Sequence, residues 1–151
     1  MTSMRPKLTQ WHGRDILDPK QAEELDRSAA ELEFGENLPR HQAEEKAYAN
    51  YRRARYLEGA AHHWKGFTAA SAVGDPSSKE HKLMYDVYMR ALGHNPAEAP
   101  PPEVKRLVPE ANPRRAKFVP HEADQLPLLR SEGALKLLRL ARLLKSVAAL
   151  R

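Results

Sequence analysis

Apolar residues recur at helical rather than alternating spacing along most of this 151-residue chain. Ala22, Leu25, Ala29 and Leu32 fall three or four positions apart, which places them on one face of a helix. Asp18-Pro19 supplies an N-cap acid followed by a proline suited to the first helical position. Glu23 and Glu24 complement the positive end of the helix dipole, and Gly35 is a natural stop. The pattern predicts a first helix over residues 19–34.

A second and longest helix is predicted from His41 to Ala72. Asn50, Ala54, Leu57, Ala61, Trp64, Thr68 and Ser71 keep to one side through alternating steps of four and three. The stripe is narrow and rich in small residues, which suits close approach by another helix. Gly59 and Gly66 each weaken an exposed helix by about 1 kcal/mol relative to alanine. The uninterrupted periodicity still predicts a helix across them. Gly74-Asp75-Pro76 ends it, and Ser77 or Ser78 is expected to cap a third helix running to Leu92, with Gly93 as its stop. Leu83, Met84, Val87, Tyr88, Ala91 and Leu92 form the expected buried side of that helix. So short a turn implies an antiparallel helical hairpin over residues 42–93, with Trp64 in its core against the third helix.

The last 21 residues, Ser131 to Arg151, carry the clearest periodic signal. Leu137, Leu140, Ala141, Leu144, Val147 and Ala148 gather on one face, while Arg139, Arg142, Lys145 and Ser146 gather on the other. The leucine seam fits only two heptads, too few for a free-standing coiled coil.

Proline divides the chain. None lies between Pro39 and Pro76 or after Pro127, whereas eight of the twelve fall from Pro96 to Pro127. Proline lacks the amide donor, so this stretch is expected to be extended, with short helical turns at most. The expected organisation is a flexible segment 1–17, a helical domain 18–95, a proline-rich connector 96–130 and a basic amphipathic helix 131–151.

Composition agrees with an all-α class. There are 22 alanines and 19 leucines against six valines, one isoleucine and three threonines, which disfavours a sandwich or a doubly wound sheet. A charged fraction of 30% and a mean hydropathy of −0.71 leave a modest core. No run approaches the roughly 20 apolar residues that span a bilayer, and no apolar run follows the N-terminal charges. The absence of cysteine excludes disulfides, thiolate metal sites and cysteine nucleophiles, and the expected location is cytoplasmic.

The net charge of +5 is uneven: residues 1–40 sum to −2, 41–95 to +2, 96–130 to +1 and 131–151 to +4. A basic balance suits nucleic acid, an anionic membrane or an acidic protein surface without choosing among them.

The seven histidines raise the question of a metal. His62 and His63 are adjacent, hence ~100° apart on a helix, and do not easily share one ion. Glu58 and His62 share a face, and His81 comes within reach across the hairpin. No three- or four-ligand set follows, and paired Glu-x-x-His motifs are absent, so neither metal nor cofactor is expected. Arg52, Arg55, Gly59, His62, His63 and Gly66 fall in one sector of the long helix. Cations beside bare backbone suit a phosphate or an acidic partner; the alternative is a solvated face paired with Glu44, Glu45 or Glu58. Tyr48, Tyr51 and Tyr56 interleave with the arginines, as on nucleic-acid surfaces, but tyrosines in such places also pack. Glycine-rich phosphate loops, Gly-x-Ser-x-Gly and His-Glu-x-x-His are all missing.

The expectation is therefore a non-enzymatic helical interaction or assembly protein with no small-molecule substrate. It would dock on a protein partner, or on a second copy of itself, through Leu137, Leu140, Ala141, Leu144 and Val147. The alternative is a nucleic-acid-binding accessory protein using Arg52, Arg55, His62, His63, Arg139, Arg142 and Lys145. An anionic membrane surface is a third partner for the C-terminal helix, although it lacks aromatic anchors.

Overall fold

The computed structural model describes residues 8–108 and 117–126. The described chain is mostly helical, consistent with an all-α class, with one small two-stranded sheet. In order it forms β1 (Thr9–Trp11), β2 (Arg14–Ile16), α1 (Gln21–Gly35), α2 (Arg40–Ala72), α3 (Ser77–Ala91), α4 (Pro102–Leu107) and a 3-10 turn at Glu122–Gln125. The helix expected over 131–151, with its apolar residues and with Arg139, Arg142 and Lys145, lies outside the described residues. Among the described residues no helix is long and apolar enough to cross a membrane.

The chain divides into two compact units inside α2, Met1–Arg55 and Tyr56–Arg151. A helix has no local signal for such a boundary, because its backbone ladder continues unbroken across it.

Within the segment expected to be flexible, residues 9–16 form a small sheet, while residues 1–7 lie outside the described residues. β1 and β2 pair antiparallel, with Thr9 opposite Ile16, Gln10 opposite Asp15 and Trp11 opposite Arg14. The two-residue loop has positive φ at both positions, 46° at His12 and 75° at Gly13, the requirement of a tight hairpin turn whose twist matches its strands. So short a hairpin is not stable alone. It is held because Trp11 (4% exposed) and Ile16 (0%) bury their side chains with Leu25, Ala29 and Ala47. Each such burial is worth roughly 1.5–3 kcal/mol. Polar anchors fix its position. Trp11 Nε1 donates to Asp26 Oδ1 at 3.0 Å, and the Tyr48 hydroxyl donates to the Asp15 carbonyl at 2.8 Å. The Tyr51 hydroxyl accepts from the Leu17 amide at 3.0 Å and donates to Gln21 Oε1 at 2.5 Å.

In the second unit α2 and α3 end in the same way. Gly74 (φ 67°) and Gly93 (φ 80°) take the left-handed conformation after α2 and α3 respectively. The following amides, Asp75 and His94, return to the carbonyls of Ala70 (2.9 Å) and Met89 (2.8 Å), satisfying carbonyls the helix leaves open. The expected serine cap of α3 is instead provided by Asp75, whose Oδ1 accepts from the Ser77 amide at 2.8 Å.

The face of α2 that packs on α3 differs from the expected stripe. Asn50, Ala54 and Ser71 are exposed, and Leu57, Trp64 and Thr68 are only half-buried. Of the stripe Ala61 is buried, and Tyr56, Ala60, His63, Ala69 and Ala70, all outside it, are buried as well. Gly59 lies under the ring of Tyr88, and Gly66 under the ring of His81. These two contacts run in opposite senses along the two helices. Trp64 reaches α3 at the flank, its ring 4.9 Å from that of Tyr85. Removing two Cβ atoms lets α3 rings approach the α2 backbone, so glycines that weaken an isolated helix define the packing face.

Candidate functional site

The second unit gathers three histidines, a tyrosine and an aspartate at one place. His62 and His63 come from α2, His81 and Tyr88 from α3, and Asp124 from the 3-10 turn. That turn is shaped by His121. Its Nδ1 accepts from the Ala123 amide at 3.1 Å, while its own amide donates to Asp124 Oδ2 at 2.9 Å, a reciprocal cap. The cap aims the Asp124 carboxylate inward.

His63 is 0% exposed, and both ring nitrogens are engaged. Its Nε2 lies 3.0 Å from Asp124 Oδ1 and 2.9 Å from Oδ2. A carboxylate only accepts, so the His63 proton on that side points to Asp124. The Nδ1 atoms of His63 and His81 are 3.1 Å apart, a separation that holds one shared proton. The Tyr88 hydroxyl also donates to Asp124 Oδ1. Asp124 thus accepts from His63, Tyr88 and the His121 amide, as a buried carboxylate requires.

Phe118 covers the histidines. Its ring stacks on His63 at 5.7 Å and tilts over His81 at 4.8 Å. One residue on, the Val119 carbonyl accepts from His62 Nε2 at 2.6 Å. Ala123 and Leu126 are buried. Residues 117–126 therefore form a strap tied to α2 and α3 by both polar and apolar contacts. In the same stretch α4 begins at Pro102, whose missing amide is harmless there, and buries Val104.

Burial shifts these groups. Burial first, and then the imidazoles of His63 and His62, push His81 from 6.5 down to about 4, with the Lys117 backbone and Asp124 opposing. Burial and His62 likewise lower His121. Burial alone would raise Asp124. The hydrogen bond and charge of His63, with the Tyr88 phenol and the His121 amide, outweigh it and hold the carboxyl below its usual value. Burial, reinforced by Asp124, raises the Tyr88 phenol.

Beside this network opens a cavity of about 300 Å³, lined by His62, Lys65, Gly66 and Ala69 of α2, His81 of α3, and Lys117 and Val119 of the strap. Among the described residues no group of three or more His, Asp or Glu side chains is arranged to hold a metal ion. The ring nitrogens that would ligate one are turned toward each other and toward Asp124.

The sequence-derived contact set is dispersed. Arg52 and Arg55 belong to the first unit, with guanidinium groups 5.6 Å over Tyr48 and 5.7 Å over Tyr51. His62 and His63 belong to the second. His63 is fully buried, with both ring nitrogens hydrogen-bonded inside the protein. His62 is half-buried and bonded to the strap. Tyr56 is buried, and Tyr48 and Tyr51 hold the hairpin, so all three pack. Tyr88, Phe118, His121 and Asp124 were missed as site residues. The one signal for them was local, an aspartate three residues after a histidine in a proline-flanked run, the outline of a capped turn. Comparison with protein-family models, with curated proteins and with solved structures finds no match of the chain to any of them.

Proposed function

We propose that the protein is a non-enzymatic helical interaction or assembly protein, docking on a larger partner or on a second copy of itself through the leucine-patterned stretch 131–151. In this reading the antiparallel hairpin of α2 and α3 is the scaffold. The supporting observation is the anchored strap. Asp124 is tied to His63 and Tyr88, and Leu126 is buried, so the chain is fixed only a few residues before Ser131. A fixed starting point restricts where the following amphipathic sequence reaches, which lowers the entropy lost when it docks. In the sequence pattern Leu137, Leu140, Ala141, Leu144 and Val147 share one side of a helical repeat, with Arg139, Arg142 and Lys145 on the other, the spacing of a helix that docks in a groove.

Size-exclusion chromatography with light scattering, at low and high salt, tests this. An apolar seam keeps its assembly as salt rises, and Leu140→Asp with Leu144→Asp abolishes it. Arg139→Gln with Arg142→Gln leaves it intact. A species that is monomeric throughout, yet binds nucleic acid with steep loss on adding salt, would replace this reading with the nucleic-acid one.

A further inference from the structure

We infer that the cavity beside the histidine network is a binding site for a small organic anion, with a carboxylate or phosphate head at Lys65 and Lys117 and a compact apolar part against Ala69 and Val119. The first argument is charge. Among the described residues no carboxylate lines the cavity, whereas two lysines and two histidines do. Two other lysines are neutralised by acids: Lys82 pairs with Asp86 at 2.6 Å, and Lys46 pairs with Glu36. Lys65 and Lys117 have no ion-pair partner among the described residues. The nearby acid, Asp124, is saturated by His63, Tyr88 and the His121 amide, so it does not neutralise them.

The second argument is preorganisation. Gly66 brings the α2 backbone against the His81 ring, whose position is fixed by His63 on the other side. His62 is tied to the Val119 carbonyl at 2.6 Å, which joins the α2 wall to the strap wall. A site whose walls are already in place loses little entropy on binding. The third argument is size. About 300 Å³ is at the small end of ligand pockets, enough for a head group and a short tail but not for a nucleotide. Ammonium groups bound to an anionic oxygen make the stronger, charge-assisted class of hydrogen bond, and they do so best beside a partly desolvated wall.

Inorganic phosphate and butyrate are the probes, titrated separately into the full chain at constant ionic strength and followed by amide NMR. Saturation by at least one is expected, with the amides of Lys65, Gly66, Ala69 and Val119 moving together; which probe saturates identifies the head group. Lys65→Gln with Lys117→Gln removes two charge-assisted bonds and should weaken binding by at least about tenfold. Each single variant should give part of that loss. Lys20→Gln with Lys105→Gln removes the same charge from exposed positions and should leave the affinity unchanged. The proposal is overturned if neither probe saturates. It is equally overturned if the cavity double variant binds as the parent does, or if the exposed double variant weakens binding as much.

Discussion

The His81 ring stands where a β-carbon on Gly66 would be, with its Cε1 only 2.2 Å from that position. Seven residues along each helix the arrangement repeats: a β-carbon on Gly59 would lie 2.3 Å from Cζ of Tyr88. Two turns of helix return a side chain to nearly the same face, so the two glycine–ring pairs form one seam. Both rings in that seam are polar, and both lead to Asp124, directly from Tyr88 and through His63 from His81.

Gly66→Ala and Gly59→Ala should therefore destabilise the protein, although alanine favours an isolated helix by about 1 kcal/mol. The ring must shift or the helices part, and overpacking of this kind costs about 1–3 kcal/mol. Urea unfolding measures it. A higher midpoint for either variant would mean that helix propensity outweighs the seam.

Two tyrosines on α3 should respond oppositely to loss of the hydroxyl. Tyr88 donates to a carboxylate that is itself largely buried, so Tyr88→Phe should cost about 1–3 kcal/mol. The Tyr85 hydroxyl is buried without a hydrogen-bond partner among the described residues, so Tyr85→Phe should be neutral or stabilising. Thermal unfolding of the pair decides it; equal losses would contradict the assignment of Tyr88 to the network.

Asp124 holds the strap. Asp124→Ala removes the acceptor of three donors and leaves His63 buried without its counterpart, a loss of about 3 kcal/mol or more. Residues 117–126 should resist limited proteolysis in the parent and become cleavable in the variant. Equal cleavage of both would show that the strap is not held by this residue.

Acid should weaken the second unit as pH falls below 6.5. His81 falls from 6.5 to about 4 on folding because burial, with His63 and His62 nearby, disfavours its charged form. Between those two values the unfolded chain takes up a proton that the folded one refuses. Stability is full above 6.5, declines as pH falls toward 4, and changes by up to about 1.4 kcal/mol per pH unit for one such proton. Asp124, shifted down, adds its own loss only below the ordinary value of 3.8. His121, also lowered by burial, adds to the same loss, so denaturant melts from pH 7 to 4 should show the slope and His81→Gln should reduce it.

The helices themselves were legible in the sequence, because they depend on interactions within a few residues. The expected spans 19–34, 41–72 and 77–92 lie within two residues of α1, α2 and α3 at each end. Periodicity and the glycines after α2 and α3 act locally, and local signals survive in one dimension; the N-cap expected at Asp18 instead falls at Lys20, without a side-chain cap bond. Three-residue strands joined through His12-Gly13 carry too little pattern to notice, and they persist only because Trp11 and Ile16 find Leu25, Ala29 and Ala47. The buried face of α2 was misplaced for a related reason. Hydrophobicity ranks Leu57 and Trp64 above Gly59, His63 and Gly66, but close packing is set by shape, and bare backbone admits a ring where a side chain does not. The site was beyond reach of periodicity altogether: His63 and Asp124 are 61 residues apart, and a single carboxylate is placed against a buried imidazole only by the path of the strap between them.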